Sequence, residues 1–321
     1  MFLFFSKKNK KNKEDIKKYP KCKIGLALGG GASRGLAHIG VIKAFEEAGI
    51  KFDFVAGTSA GSLIGAFYCA GFTSEQMANI VKNTKTKDIR TSKIIFSPSK
   101  TTGIQDIIKN NIGDINIEDL SIPFSPVVVD LKTTNEIALR HGNLAKAVAG
   151  SCAVPGAFVP VEFEDKLLAD GGLQNTIPAD IPKLFGCDYV IAVDVNPTRA
   201  YGTDSPKMLD VLFASIRILM KNIPLKGYLH ADLMIAPDLK KFKSTKLDGA
   251  DEMIKEGYRC AKLCMPKILE IFAKKPVKKK FKLSQEFAKD LNIVSDNGTK
   301  QMILTSKEQQ EKIENLNEEN D

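Results

Sequence analysis

The pentapeptide Gly57-Thr58-Ser59-Ala60-Gly61 constrains this chain more than any other stretch. A short apolar run, Phe52 to Ala56, leads into it, and a helix-like run, Ser62 to Ala70, leads out. A serine held between a strand and the first turn of a helix sits in a turn so cramped that its neighbours must be small. Gly57, Ala60 and Gly61 meet that demand. The N-terminus of the following helix presents partial positive charge to an oxygen that is to become nucleophilic. Ser59 is therefore the candidate nucleophile. A plain strand-to-helix connection needs the same small residues, so the pentapeptide identifies a chemistry only if the rest of the chain supplies partners.

Upstream, Ile24 to Leu28 is a short apolar run stopped by Gly29-Gly30-Gly31-Ala32-Ser33-Arg34-Gly35, after which Leu36, Ile39, Ile42, Phe45 and Ala48 recur at helical spacing up to Gly49. Strand, glycine loop, helix, strand, elbow and helix make a βαβα opening, which predicts a parallel sheet covered by helices. A helix is expected over residues 74–82. The polar stretch 83–121 carries one apolar-periodic segment, Ile104, Ile107, Ile108 and Ile112, read as a lid-like helical excursion beside the site. Pro126 to Leu131 reads as a buried strand, Glu136 to Arg140 as its hairpin partner, and residues 143–148 as a helix. Two short strands then end at Asp170-Gly171-Gly172. Tyr189 to Val195 is almost uniformly apolar and β-branched, as a central parallel strand is. A helix capped by Ser205-Pro206, a last strand from Leu233 to Ala236, and a long helix from Ala250 to Lys274 complete the pattern. The fold class is thus α/β, three layers with a mainly parallel central sheet.

Charge marks the ends of this unit. The chain of 321 residues has a net charge of +9, and residues 1–23 hold nine lysines against Glu14 and Asp15. The basicity belongs mostly to an N-terminal arm, residues 1–22, and no basic-aromatic face points to nucleic acid. Phe2, Leu3, Phe4 and Phe5 ahead of those lysines would let the arm bind an anionic membrane surface. Residues 23–274 form the catalytic domain, and 275–321 a polar tail expected to be partly disordered. Six cysteines without C-x-x-C spacing fit a reduced, cytoplasmic protein, and Cys260 and Cys264, four apart on a helix, read as core. No run is long enough to span a membrane. No metal or other cofactor is expected.

The glycine loop is the first chemical partner, because consecutive glycines beside a helix N-terminus expose backbone N–H groups to an anion. Gly29, Gly31 and Gly35 only loosely imitate a dinucleotide fingerprint, and no Gly-Lys-Ser/Thr follows to make a P-loop. The N–H groups suit the oxyanion formed when Ser59 attacks an ester. Arg34 either reaches toward a phosphate or oxyanion or is an exposed helix-start residue. For the base there are two readings. Of three histidines, His38 lies one turn past the glycine loop, His141 in a His-Gly turn, and only His230 follows Asp170, as a Ser-His-Asp order requires. Asp170 itself is the better base, since Gly171 and Gly172 leave room for another loop to approach its carboxylate.

The motifs Gly29 to Gly35, Gly57 to Gly61 and Asp170-Gly171-Gly172 occur in the order and spacing of the patatin-like phospholipases, and the chain resembles their small bacterial members from about Lys23 to Phe272. Ser151 to Gly156 and Asn175-Thr176-Ile177-Pro178 belong to the same resemblance. It implies a Ser-Asp dyad without histidine: Ser59 attacks the acyl carbonyl, Asp170 takes the proton, N–H groups around Gly29, Gly30 and Gly31 hold the oxyanion, and water releases the acyl group. The implied substrate is a lipid acyl ester. An acyltransferase using the same serine, or a catalytically silent lipid-binding protein, are the alternatives.

Overall fold

A computed structural model describes residues 22–84, 86–89, 98–197, 204–219, 223–242, 249–273, 293–296 and 299–304. The N-terminal arm through residue 21 and most of the C-terminal tail lie outside the described residues.

β1 (Ile24–Leu28), β2 (Phe54–Thr58), β3 (Phe124–Asp130), β7 (Tyr189–Val193) and β8 (Leu233–Ile235) form the centre of the sheet in the order β8-β7-β1-β2-β3, every pair parallel. β1, β2 and β7 are apolar at nearly every position because both faces of the sheet are covered. On one face lie α1 (Ala37–Ala48), α2 (Ala60–Cys69) and α9 (Ala250–Ala273), and on the other α6 (Asp180–Leu184) and α8 (Pro224–His230). The architecture is three-layer α/β/α. α9 crosses α1 at backbone contact, since a Cβ on Gly257 would stand 2.0 Å from the Ala37 carbonyl oxygen.

Beyond β3 the sheet turns antiparallel. β4 (Glu136–Ala138) takes one edge of β3, pairing Val127 with Ala138 and Val129 with Glu136. The other edge is shared. β2 runs along it until Thr58 meets Val127, and β6 (Lys166–Asp170) comes down the same edge in the opposite direction until Asp170 meets Val128. Two strand ends thus abut on neighbouring residues of one backbone ladder, which sets the position of everything catalytic. β5 (Val161–Phe163) closes a hairpin with β6. Further helices are α3 (Ser74–Asn83), held by a Thr73–Gln76 capping box, α4 (Thr102–Asn111), α5 (Leu144–Ser151) and α7 (Met208–Leu219), with one helical turn at Thr86–Ile89.

Several sequence expectations shift. β2 extends two residues past the apolar run, to Thr58, because Gly57 and Thr58 still pair with β3, and the serine follows the strand without a spacer. The segment read as lid-like is α4, whose Ile104 and Ile108 are buried in the main core, so hydrophobic burial makes it part of the body. Within the tail, expected to be partly disordered, β9 (Ile293–Asp296) and β10 (Thr299–Leu304) are described, and β10 pairs with β4. The bare edge of β4 offers unpaired N–H and C=O groups, which a strand satisfies.

Candidate active site

Ser59 sits between β2 and α2 with φ 53° and ψ −123°, a left-handed conformation that a non-glycine residue adopts only when its surroundings impose it. The surroundings are backbone. A Cβ on Gly57 would come within 2.6 Å of the Gly61 carbonyl oxygen, and one on Gly61 within 2.0 Å of the Leu28 carbonyl oxygen. The Ser59 N–H donates to Ser151 Oγ at 3.0 Å, and that hydroxyl donates in turn to the Val127 carbonyl at 2.6 Å. Ser151, at the C-terminal end of α5, therefore ties the elbow to β3. Sequence reasoning gave Ser151 no role beyond its place in a motif.

Asp170, the last residue of β6, stands close enough to the Ser59 hydroxyl for that group to lower the carboxyl's pKa. Its Oδ1 accepts from Gly172 N–H at 2.7 Å, and its own N–H donates to the Ala153 carbonyl at 3.0 Å. A Cβ on Gly171 would stand 2.3 Å from the Val127 carbonyl oxygen, so the turn after the acid can press onto β3 only with glycine there. Burial raises the Asp170 pKa to about 6, against the opposing pull of the Ser59 and Gly172 hydrogen bonds. The group is thus mostly ionised at neutral pH and more basic than an exposed aspartate. The histidines are all engaged elsewhere. His38 is fully buried and donates from Nε2 to the Gly29 carbonyl at 2.8 Å; burial pushes its pKa down to about 4, leaving it neutral. His141 faces Glu118, and His230 is exposed with Nδ1 on the Lys226 carbonyl.

Gly29 N–H donates to the Val193 carbonyl at 3.0 Å and Gly30 N–H to the Thr176 carbonyl at 2.9 Å, so both fasten the glycine loop to neighbouring segments and are not free for an oxyanion. A position one helical turn from a helix start does not reveal which carbonyls lie behind it. Among the described residues no carbonyl accepts from Gly31 or Ala32 N–H, and these two, with φ 179° and 49°, lead into the short 3-10 turn Ala32–Leu36. Gly30 itself lies beside the nucleophile, an added Cβ falling 3.3 Å from Ser59 Cβ. Arg34 Nε and Nη2 donate to the Phe242 carbonyl at 3.0 and 2.9 Å and its Nη1 donates to Asn196 Oδ1, so the guanidinium pins the loop to two later segments.

A buried polar cluster absent from the sequence reading stands behind the dyad. Thr58 Oγ1 donates to the Asn175 carbonyl at 2.8 Å, and Asn175 N–H donates to the Gly171 carbonyl at 2.8 Å, so one residue clasps both the elbow and the Asp170 turn. Asn175 Nδ2 donates to Glu136 Oε1 at 2.7 Å and to Asp180 Oδ1 at 2.8 Å. The Lys226 ammonium, from α8, closes the ring at 2.9 Å from Glu136 Oε2 and 2.8 Å from Asp180 Oδ2. Burial raises the Glu136 pKa, with Lys226 only partly offsetting it. Burial also opposes the charge of Lys226, but Asp180 and Glu136 outweigh it and hold its pKa above the ordinary lysine value. Nothing local in Pro224-Leu225-Lys226-Gly227 distinguishes this lysine from a solvated one. Next to the elbow, Leu36, Leu63, Ile64, Phe67, Met77 and Ile107 line an apolar cavity of about 60 Å³. Among the described residues no three His, Cys, Asp or Glu side chains are grouped to hold a metal ion.

Residues 26–183 match the family model described as Patatin-like phospholipase. The chain carries a patatin-like phospholipase domain. Among curated proteins it is 34% identical over 185 residues to an NTE family protein of Mycobacterium tuberculosis, covering 56% of this chain and 50% of that one. It is 36% identical over 182 residues to the neuropathy target esterase of Drosophila melanogaster, covering 54% of this chain and 13% of that one. The chain thus spans half the length of the first relative and a small part of the second. Among solved structures, VipD from Legionella pneumophila aligns with a TM-score of 0.44 and 15% identity over 79% of this chain and 67% of that chain. Both members of the Ser59–Asp170 pair fall inside the patatin-like segment. Val193, Asn196, Lys226 and Phe242, which hold its loops, lie beyond it.

Proposed function

We propose that the protein hydrolyses acyl esters of lipids through a Ser59–Asp170 dyad. The observation that carries this reading is the abutment of β2 and β6 on one edge of β3, which sets a strained serine against a buried carboxyl whose pKa is about 6. A base near the working pH is the useful kind. Ser59 Oγ attacks the acyl carbonyl carbon while its proton passes to the Asp170 carboxylate. The tetrahedral oxyanion is met by N–H groups at the mouth of the glycine loop, with Gly31 and Ala32 in place of Gly29 and Gly30, and by the N-terminus of α2. Collapse expels the alcohol part of the lipid, protonated by Asp170, and leaves an acyl ester on Ser59. Water then gives its proton to Asp170, attacks the acyl carbon, and Ser59 departs with that proton.

The acyl chain runs along α2 toward the apolar cavity, since Leu63, Ile64 and Phe67 follow Ser59 on that helix. The family profile and the esterase name of one relative support an ester as substrate. The test is to incubate the protein with mixed phospholipids and identify products by mass, beside labelling with a fluorophosphonate. Released fatty acid and a label on Ser59 are expected, both lost in Ser59→Ala. Label without release of fatty acid, with transfer to an added alcohol, would make the enzyme an acyltransferase instead.

A further inference from the structure

The large apolar side chains that stand exposed among the described residues are not scattered. Most fall between Met208 and Leu229, on α7 and α8, where Met208 is 80%, Leu219 81% and Leu229 82% exposed, with Val211, Ile218 and Leu225 beside them. On α7, residues 208, 211, 218 and 219 recur at helical spacing and so share one face. Exposed apolar side chains grouped in this way on a folded protein mark an interaction site.

Its placement identifies the partner. α8 lies against the segment that follows the Asp170 turn: a Cβ on Gly227 would stand 2.5 Å from Ile177, and the Thr176 carbonyl beside it receives the Gly30 N–H next to Ser59. Across the dyad, Val154 and Val159 are exposed on the loop whose Ala153 carbonyl accepts the Asp170 N–H. Apolar side chains therefore stand exposed on two segments that adjoin the dyad. Residues 207–230 hold Lys207, Arg217, Lys221 and Lys226 against one acid, Asp210, and exposed Lys207 directly precedes Met208. No helix among the described residues is long and apolar enough to cross a membrane, so such a surface would rest on a bilayer and not enter it as a span.

We propose that the exposed faces of α7 and α8 dock the protein on an anionic lipid surface, with Val154 and Val159 completing the contact around the site. The inference rests on the lipid-hydrolase reading for its choice of partner, yet binding can be measured without turnover. Docking brings the mouth of the site against the layer that holds the acyl chains. α8 carries Lys226 on its inner side and Leu225 and Leu229 on its outer side, so the helix that braces the dyad is also the one that meets the lipid.

The test uses the full chain and two variants, Leu225→Asp with Leu229→Asp, and Met208→Asp with Leu219→Asp. Each is mixed with vesicles of phosphatidylcholine and phosphatidylglycerol in equal parts, at physiological and at high salt, and sedimented; turnover of a soluble short-chain ester is measured alongside. Removing two apolar anchors is expected to weaken vesicle partitioning by about tenfold or more in each variant, still visible at high salt, with soluble-ester turnover within about twofold of the parent. Unchanged partitioning in both variants overturns the proposal. A parent that sediments as a dimer and variants that do not, with partitioning unchanged, would assign the face to a second copy of the chain and overturn it as well. Partitioning by the parent that is lost in the variants, with no ester cleaved by either, would uphold the docking face and remove the hydrolase reading alone.

Discussion

Replacing Asp170 with asparagine is expected to make the protein inactive and more stable in the same step. The carboxyl is only 5% exposed, and burial, acting against the Ser59 and Gly172 hydrogen bonds, lifts its pKa from 3.8 to about 6. A folded-state pKa above the unfolded one means that ionisation opposes folding. Below about pH 4 the acid is protonated in both states and nothing is lost; between about pH 4 and 6 the unfolded chain ionises first and stability falls; above that the loss is complete. At about 1.36 kcal/mol per pH unit the total is about 3 kcal/mol. Asparagine keeps an acceptor for Gly172 N–H and carries no charge, so Asp170→Asn should recover most of it. The expected gain is about 2–3 kcal/mol at pH 8, or roughly 5–10 °C in Tm, shrinking to about zero at pH 4. Thermal melts of parent and variant from pH 4 to pH 8, compared as differences, isolate this one group, because all others titrate alike in both. Ester turnover should fall at least about a thousandfold in the same variant. A Tm difference that does not change with pH, or a variant less stable than the parent at pH 8, would refute the reasoning.

The same carboxyl predicts that kcat/KM for a soluble ester rises with pH through about 6 and falls about tenfold per unit below it; a flat profile from pH 5 to pH 8 would exclude Asp170 as the base. Lys226→Met leaves Glu136 and Asp180 buried without their cation, which should cost about 3–5 kcal/mol in a urea titration. Adding Glu136→Gln should restore a large part of that, and a single variant within about 1 kcal/mol of the parent would show that the cluster does not act as a unit. Phe67→Ala enlarges the apolar cavity behind the elbow and should shift preference toward longer acyl chains in a series of soluble esters; an unchanged chain-length profile would place the acyl group elsewhere.

The local chemistry of the site was legible because it is written in short stretches. The elbow announces itself through Gly57 and Gly61, whose side-chain-free approach to other backbone is a demand of that turn alone, and Asp170 through the two glycines after it. The alternation of β1, α1, β2 and α2 is likewise a matter of neighbouring residues. What escaped depends on segments remote in the chain. That β6 completes the edge β2 leaves open could not be read from Lys166 to Asp170, since register is a property of the partner, Val128. Gly29 and Gly30 looked like oxyanion donors because their acceptors, Val193 and Thr176, are far downstream. Arg34 was weighed as ligand contact or solvated residue, and its hold on Asn196 and Phe242 was hidden because those partners are equally remote. The role of Glu136 was hidden because a buried acid in a short strand makes sense only once Lys226 is beside it.

The placement of β7 has a consequence for the newborn chain. β1 lies between β2 and β7, and Lys23 N–H reaches the Asp188 carboxylate across 165 residues of sequence. At about 5–20 residues per second, a ribosome needs roughly 10–30 s to make that span. Throughout it, the apolar strand Ile24 to Leu28 has one edge bare, the state in which strands capture each other, so crowded polysomes expressing this protein are where its aggregation would begin. The carbonyls that fasten Gly29 and Gly30 arrive with Val193 and Thr176, which makes the glycine loop among the last parts of the site to set. A nascent or truncated chain that ends between residues 171 and 193 carries Ser59 and Asp170 without the Val193 carbonyl that fastens Gly29, so on the hydrolase reading proposed above its activity would appear only once translation is well past the halfway mark.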